Sequence, residues 1–404
     1  MDLSPSPSLP MGQQIKYYLC FGDSITENGG WIDLLNQEKQ EHFLNAGKSG
    51  RQAQNGPKEF PPVLATHPEA NHLLLFLGIN DLPSRDPRPS PARIEGAVQG
   101  LRQCIEHALP KLRPENIILF TPCGLAPDAM SEVNLGKGYH EALPLLEPYA
   151  EALKKLALKK GLRFLNLLGS FSDIHFRDGI HLNHQGEQQL AKILANYLNR
   201  PSLYWIGDSI SLGYHETLRE ALAEEFHYTR KTGMADANRN LDQAQGANGG
   251  DSARVLAHLQ ELVQTQNLWA DTVVVNCGLH DIKANPRTGT RQIAKEDYRK
   301  NLESMIRLLH QAGKNLIWVT TTPVDETIHQ RHQKNFHRSE DDLAAYQEIA
   351  RNLMEAHGVP VFDLYAFTTA LGPDLFRDHV HFHPEIAHQQ GLFLAHKVKE
   401  HFAQ

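Results

Sequence analysis

Short apolar runs alternate with longer amphipathic segments along almost the whole chain. The runs in the first half are residues 17–21, 73–77, 116–120 and 163–167, and those in the second half are 203–206, 272–276, 315–320 and 359–364. Gly, Pro and Asn bound the runs, which is typical of strands buried on both faces of a parallel sheet. The amphipathic, helix-length segments include residues 92–108, 139–160, 297–312 and 340–357. This alternation predicts an α/β protein with a three-layer αβα sandwich in each half.

Four short blocks occur twice, in the same order. The first set is Gly22-Asp23-Ser24-Ile25, Gly50, Gly78-Ile79-Asn80-Asp81 and Asp178-Gly179-Ile180-His181, and the second is Gly207-Asp208-Ser209-Ile210, Gly250, Gly278-Leu279-His280-Asp281 and Asp378-His379-Val380-His381. Each of the last three blocks lies 200 positions from its counterpart in the other half, and the two serines lie 185 apart. So long a period fits two whole domains rather than a solenoid. We expect a disordered tail over residues 1–15, a first domain over 16–200 and a second over 201–404.

Composition narrows the class of protein. The 404 residues carry a net charge of −7 with a pI of about 6.4, so no nucleic-acid partner is expected. No apolar stretch is long enough to span a bilayer, and no membrane partner is expected. The N-terminus lacks a signal peptide, which favours a cytoplasmic location, or secretion if a leader has been removed. The four cysteines show no metal-binding spacing, and we expect buried thiols, no metal and no cofactor.

Each Gly-Asp-Ser block places a serine between a strand and a helix. In an open parallel sheet this is the carboxyl edge where sites form, and the helix N-terminus favours developing negative charge. Serine is a weak nucleophile without a base, and His181 and His381 are the candidate bases. An aspartate three residues earlier, Asp178 or Asp378, is suited to fix the imidazole's tautomer and orientation. Such a motif alone is usually a solvated loop, but its recurrence in both halves favours catalysis.

The remaining blocks supply candidate donors for an oxyanion. Acyl transfer requires preorganised hydrogen-bond donors at the tetrahedral intermediate. In the first half these are the backbone N–H groups of Ser24 and Gly50 and the side-chain amide of Asn80. Gly250 and His280 occupy the matching positions in the second half. Each residue alone also fits an ordinary turn, and the joint recurrence is what favours function.

Together the blocks resemble those of SGNH (GDSL-type) serine hydrolases over residues 16–199 and 202–404. The resemblance implies a flavodoxin-like fold with a five-stranded parallel sheet in each half. It also implies hydrolysis of an acyl ester through an acyl-serine intermediate, without a metal. Carried onto this sequence, it makes Ser24 the nucleophile, His181 the base and Asp178 its orienting partner, with Gly50 and Asn80 in the oxyanion hole.

The second half departs from the family pattern once. His280 stands where the family has Asn, whereas Ser209, Asp378 and His381 are retained. A neutral imidazole donates one hydrogen bond if the right nitrogen carries the proton. The second half also resembles a bacterial SGNH subgroup with Gly-Leu-His-Asp and a Trp-x-Thr-Thr-Thr-Pro strand end, here at Trp318–Pro323. Both halves are therefore expected to be catalytic, with His280 in the second oxyanion hole.

Two other features have alternative interpretations. His379, His381 and His383 alternate along one segment, as metal ligands do, but no acidic or cysteine partner stands at zinc-like spacing, so a metal site is not expected. Residues 233–249 are rich in Asn, Gln and Gly. This long loop is expected either to be disordered or to line the second cleft.

The leading functional hypothesis is an esterase that removes small acyl groups, in particular acetyl, from a carbohydrate or similar polar alcohol. The partner is then a small-molecule or polysaccharide ester. Gly50-Arg51 is similar to the Gly-Arg pair of pectin-type acetylesterases, and the chain has no long apolar lid. The same fold hosts lysophospholipases and thioesterases, which form the first alternative. Two others are an acyltransferase and a chain with one active domain and one domain that binds or braces.

Overall fold

The computed structural model of the protein describes residues 15–38, 41–83, 88–265 and 267–403. Two compact units divide the chain, one ending at Asn199 and the other beginning at Arg200. We call them the first and second domains and describe each by itself. The predicted disordered tail lies outside the described residues, except for Ile15.

The first domain is a parallel sheet with helices on both faces. Its strands are β1 (Tyr17–Gly22), β2 (His42–Asn45), β3 (His72–Phe76), β4 (Ile117–Phe120) and β5 (Arg163–Leu165), in the order β2-β1-β3-β4-β5. Its helices are α1 (Ser24–Asn28), α2 (Gly30–Glu38), α3 (Gly56–Thr66), α4 (Ser90–Ala108), α5 (Glu132–Gly136), α6 (Leu146–Lys160) and α7 (His184–Leu198). This strand order is that of flavodoxin-like folds.

The second domain repeats this architecture. Its strands are β6 (Ser202–Ile206), β7 (His227–Arg230), β8 (Thr272–Val275), β9 (Asn315–Val319) and β10 (Val361–Phe362), in the order β7-β6-β8-β9-β10. Its helices are α8 (Ser209–Leu222), α9 (Met234–Ala237), α10 (Ser252–Gln264), α11 (Lys295–Gln311), α12 (Glu326–His332), α13 (Glu340–Ala356), α14 (Leu364–Thr369) and α15 (Pro384–Phe402). Both sheets are parallel throughout, so the predicted fold class is confirmed.

Alternation along the central strands explains the three layers. In β1, Leu19 and Phe21 belong to the core cluster that includes α3, α4 and α6, while Tyr18 and Cys20 belong to the cluster that includes α2 and α7. Successive side chains of a strand point to opposite faces, so an unbroken apolar run buries both. All four cysteines are buried and unpaired, in agreement with the sequence.

Regions that carry little hydrophobic signal are the ones that sequence analysis misses. The edge strands β2 and β7 have only part of their residues buried, so neither shows a continuous apolar run.

The segment 139–160 is not one helix, because a 3₁₀ turn containing Pro144 precedes α6. No helix among the described residues has both the length and the apolarity needed to cross a bilayer.

Candidate active site

The first serine lies at the carboxyl edge of the first sheet. Ser24 begins α1, two residues after β1 ends. The buried carboxylate of Asp23 caps this helix by accepting a hydrogen bond from the N–H of Ile25 at 3.0 Å. Burial raises the pKa of Asp23 to about 7, against the lowering effect of that hydrogen bond. The cap fixes the turn that presents Ser24 beyond the strand.

A histidine from the far end of the first domain meets this serine. His181 lies in the loop before α7, and its Nε2 is 2.9 Å from Ser24 Oγ. Its Nδ1 is 2.7 Å from Oδ2 of Asp178, whose other oxygen accepts the N–H of His181 at 2.8 Å. Burial alone would raise the pKa of Asp178, but hydrogen bonds from the backbone and ring of His181 outweigh it and lower that pKa. Asp178 therefore holds the ring with Nε2 towards the serine.

The candidate oxyanion donors of the first domain follow three strands, with Ser24 after β1, Gly50 after β2 and Asn80 after β3. Asn80 is buried, and its carbonyl oxygen accepts the hydroxyl proton of Tyr139. Its Nδ2 donates to the carbonyl oxygen of Arg51 at 3.2 Å. Gly50 has a positive φ of 71° and is exposed, and the hydrogen bonds of the described residues leave its N–H without an acceptor. A β-carbon would be strained in that conformation, while glycine leaves the N–H open to a ligand.

Arg51 is turned away from solvent. Its guanidinium donates to the carbonyl oxygens of Gly22 and Ala46, each at 2.6 Å, and to Glu59 at 3.0 Å. It also stacks 4.1 Å above the ring centroid of Phe21. Arg51 thus fastens the Gly50 loop to the end of β1. The Gly50-Arg51 pair therefore says more about the shape of this loop than about direct substrate recognition by the arginine.

The second domain holds the same three side chains in the same relation. Ser209 Oγ lies 2.9 Å from Nε2 of His381, and His381 Nδ1 lies 2.9 Å from both carboxylate oxygens of Asp378. Hydrogen bonds from His381 outweigh the effect of burial and lower the pKa of Asp378 far below its ordinary value. The side chain of His381 is 7% exposed, whereas that of His181 is 23% exposed. The second site is therefore the more enclosed of the two.

His280 lies at the position of Asn80, after β8, but has a different partner. It is 2% exposed, and its Nδ1 is 3.1 Å from Nζ of Lys283. Its Nε2 is buried without an acceptor among the described residues. Burial and the charge of Lys283 lower the pKa of His280 well below its ordinary value, so the ring is neutral at physiological pH. His280 thus presents one unused ring nitrogen.

The Gly250 loop differs from the Gly50 loop. Gly250 has a similar φ of 75°, but it is buried and its N–H donates to Oδ1 of Asn248 at 3.0 Å. This candidate oxyanion donor is available to a ligand only when the Asn248 side chain moves. The two domains therefore match in the Ser-His-Asp arrangement and differ in the donors around it.

Aspartates next to the oxyanion candidates support the neighbouring loops. Asp81 accepts the N–H groups of Ala53 at 2.7 Å and Gln54 at 3.1 Å, while Asp281 accepts the N–H of Ser252 at 3.0 Å. Burial raises the pKa of Asp281 to about 7 despite these contacts. The final aspartate of each block thus ties the loop that follows Gly50 or Gly250 to the end of β3 or β8.

A cavity of about 240 Å³ opens beside the second serine. Ser209 and His381 form part of its wall, and the remainder combines apolar residues such as Leu212 with polar ones such as Arg377. Leu241, from the loop over residues 233–249, also lines it. Of the two expectations for that loop, the one in which it lines the second cleft fits the structure.

The histidine cluster of the second domain is engaged in hydrogen bonds. Among the described residues, Asp378, His379 and His381 have potential ligand atoms within 4.8 Å of one another. His379 Nε2 lies 2.9 Å from Oδ1 of Asp242, and both nitrogens of His381 are taken by Ser209 and Asp378. His383 is not a member of that group. These contacts account for the arrangement of the cluster within the described residues.

Sequence reasoning missed the side chains that form hydrogen bonds with Asn80 and His280. Tyr139 is 59 positions from Asn80, so no local motif links them. Lys283 stands three residues after His280, where the first domain has Pro83. The coincidence of histidine with a nearby lysine was the one available signal, and it is visible only when the two halves are aligned.

Comparison with known proteins places both halves in one family. The model of the GDSL-like lipase/acylhydrolase family matches residues 20–189 and 205–388. No curated protein matches the chain. Among solved structures, a carbohydrate acetylesterase from Sinorhizobium meliloti is similar at 21% identity and a TM-score of 0.39, covering 45% of this chain and 98% of its own. An aryl esterase from M. smegmatis is similar at 20% identity and a TM-score of 0.40, with coverages of 45% and 98%.

Proposed function

The chain belongs to the GDSL-like lipase/acylhydrolase family, and we propose that both of its domains are serine esterases acting on small acyl esters, in particular acetyl esters of a carbohydrate or similar polar alcohol. The observation that carries this proposal is the repeated contact between serine and histidine. Ser24 lies 2.9 Å from His181, and Ser209 lies 2.9 Å from His381. Each imidazole has an aspartate at its other nitrogen.

In this mechanism the imidazole acts first as base and then as acid. With Nδ1–H donated to Asp178, Nε2 of His181 accepts the proton of Ser24 as Oγ attacks the ester carbonyl. The tetrahedral intermediate collapses when the imidazolium returns that proton to the leaving alcohol, which leaves an acyl-serine. Water then attacks the acyl-serine with the same base, releasing the acid and restoring Ser24. Asp178 stabilises the imidazolium throughout.

The oxyanion is the charge that the remaining residues stabilise. In the first domain, the N–H of Gly50 is open and the Asn80 amide follows β3, the strand beside β1. In the second domain, the unused ring nitrogen of His280 takes the place of that amide. Donors fixed before the reaction cost no reorganisation when the charge develops, and the loss of one typically costs about 10²–10³ in kcat.

The volume beside Ser209 supports a short acyl group. The cavity of about 240 Å³ is smaller than the roughly 300 Å³ at which sites for drug-sized ligands begin. A long fatty chain would not fit within it. This observation favours a small-ester hydrolase over the lysophospholipase and thioesterase alternatives for the second domain.

Chain-length dependence tests this proposal. We expect kcat/KM of the wild type to be higher for p-nitrophenyl acetate than for p-nitrophenyl octanoate, and acetylated polysaccharides to release acetate. A preference for octanoate would instead support the lipid alternative. Measured with an added sugar acceptor, formation of acetylated sugar in place of free acetate would support an acyltransferase.

A second candidate function is one active domain joined to a domain that binds or braces. The occupied N–H of Gly250 favours it, because one predicted oxyanion donor of the second domain is already bonded to Asn248. The contact of Ser209 with His381 favours two active sites instead. Turnover by Ser24→Ala distinguishes the two functions.

A further inference from the structure

The partner of His280 determines which of its nitrogens carries the proton. Lys283 Nζ lies 3.1 Å from His280 Nδ1. An ammonium group has three donors and no acceptor, so Nδ1 must be the unprotonated nitrogen. Since the ring is neutral, its single proton is then on Nε2, the atom that has no acceptor among the described residues. The opposite tautomer would set an N–H against the ammonium group.

The ammonium group itself is held in place from two further sides. Lys283 Nζ donates to the carbonyl oxygen of Asp242 at 2.6 Å and lies 4.6 Å from the centroid of the Phe336 ring. The lysine is 9% exposed, so its charge is retained by these contacts rather than by water. Lys283 is therefore a rigid donor rather than a mobile surface side chain.

The first domain shows the same relation built from other residues. Tyr139 donates its hydroxyl proton to Oδ1 of Asn80. In each domain, a hydrogen-bond donor contacts the acceptor atom of the side chain in the third block, which is Oδ1 of Asn80 or Nδ1 of His280. The other polar atom, Nδ2 or Nε2, is then the donor. The donor to the asparagine is the hydroxyl of Tyr139, and the donor to the histidine is the ammonium group of Lys283.

We propose that Lys283 is a positioning residue of the second site, which fixes the Nε2–H tautomer of His280 so that this N–H is directed to the oxyanion. The inference rests on the proposed function of the second domain. It adds a residue that neither touches the substrate nor exchanges protons with it. With histidine in place of the family's asparagine at position 280, Nδ1 of the ring needs a hydrogen-bond donor, and Lys283 provides it.

The protonation of Lys283 gives the inference a pH signature. Burial, followed by the charge of Arg338, lowers the pKa of Lys283 to about 8, while Asp242, Asp208 and Asp251 oppose this effect. Below that pH the lysine is a donor only. Above it, the neutral amine also accepts a hydrogen bond, and the Nδ1–H tautomer of His280 becomes accessible. Turnover by the second site is therefore expected to fall as pH rises through about 8.

The kinetic test uses Ser24→Ala as background, so that only the second site turns over. Lys283→Met should lower kcat by about 10- to 100-fold with little change in KM, less than the loss of the donor itself. Lys283→Arg, which stays a donor at high pH, should restore kcat and remove the decline above pH 8. Lys231→Met is the matched control, because Lys231 also donates to a backbone carbonyl, that of Gly246, in this domain.

An NMR measurement tests the tautomer without turnover. In protein labelled with ¹⁵N-histidine, the ring signals absent from His280→Asn belong to His280. We expect them to show a protonated Nε2 and an unprotonated Nδ1 at pH 7, and to change in Lys283→Met. An Nδ1-protonated ring, or a ring unaffected by Lys283→Met, overturns the inference. If the ring is as expected but Ser24→Ala is inactive, the proposed function of this domain fails instead, and Lys283 loses its catalytic significance.

Discussion

Tyr139 donates its hydroxyl proton to the side-chain carbonyl oxygen of Asn80. This contact fixes which end of the amide is the oxygen, and it leaves Nδ2 as the donor end. Asn80 is buried at the carboxyl edge of the first sheet, where a freely rotating amide would present donor and acceptor alike. The orientation of the amide, rather than its presence alone, is what an oxyanion hole requires.

Removing the Asn80 amide should therefore weaken the stabilisation of the transition state more than it weakens substrate binding. In the Ser209→Ala background, Asn80→Ala is expected to lower kcat by about 10²–10³ with little change in KM. Tyr139→Phe should reduce kcat by a smaller factor, because it loses the orienting contact and keeps the donor. Steady-state kinetics on p-nitrophenyl acetate measure both effects. An unchanged kcat in Asn80→Ala would remove this residue from the mechanism.

The aspartates beside the histidines should matter through the tautomer of the base. Asp178→Asn in the Ser209→Ala background, and Asp378→Asn in the Ser24→Ala background, are each expected to lower kcat by about 10⁴, as when such a carboxylate is lost from a triad. Asp173→Asn, an exposed aspartate in the same loop as Asp178, is the control and should leave kcat unchanged. Equal effects of Asp173→Asn and Asp178→Asn would indicate a loop defect instead.

Substitutions of His280 test whether its side chain has the role that Asn80 has in the first domain. In the Ser24→Ala background, His280→Ala should lose about 10²–10³ in kcat, since no donor remains at that position. His280→Asn restores the amide that the first domain has at Asn80 and should retain more activity than His280→Ala. If His280→Ala hydrolyses p-nitrophenyl acetate as fast as its parent, the second oxyanion hole does not use this side chain.

Burial of Asp23 predicts a pH-dependent stability. Its pKa is about 7 in the folded protein against an ordinary 3.8. Between these values the folded state holds a proton that the unfolded state has lost, so stability falls as pH rises through this window. Asp23→Asn removes the titration and keeps a capping side chain. Its melting temperature relative to wild type should rise from pH 5 to pH 8 in thermal scans, and a difference independent of pH would contradict the assignment.

Prediction from sequence was best where one physical signal dominated. The central strands are apolar on both faces, so β1, β3, β6 and β8 were recognisable as runs. The edge strand β2 was missed because only Phe43 of its residues is buried. The repeated blocks also located the residues that meet at each serine, since a motif that occurs twice in order is hard to explain otherwise.

Contacts between residues far apart in the sequence could not be predicted in this way. Nothing in the sequence links Tyr139 to Asn80, and the bond between Asn248 and Gly250 depends on the path of one loop. Lys283 could have been identified from the sequence, because it lies three residues from His280 and replaces Pro83 of the first half. Its importance becomes clear only from the distance between its Nζ and the imidazole.

The most direct test of two working sites in one chain is the rate of ester hydrolysis by wild type, Ser24→Ala, Ser209→Ala and the double variant, measured on p-nitrophenyl acetate and on a panel of acetylated polysaccharides. We predict that each single variant retains hydrolysis on at least one substrate and that the double variant falls to the rate of buffer alone. If Ser24→Ala matches the double variant on every substrate that the wild type hydrolyses, the second domain is not an esterase. If the double variant matches the wild type, neither serine is the nucleophile.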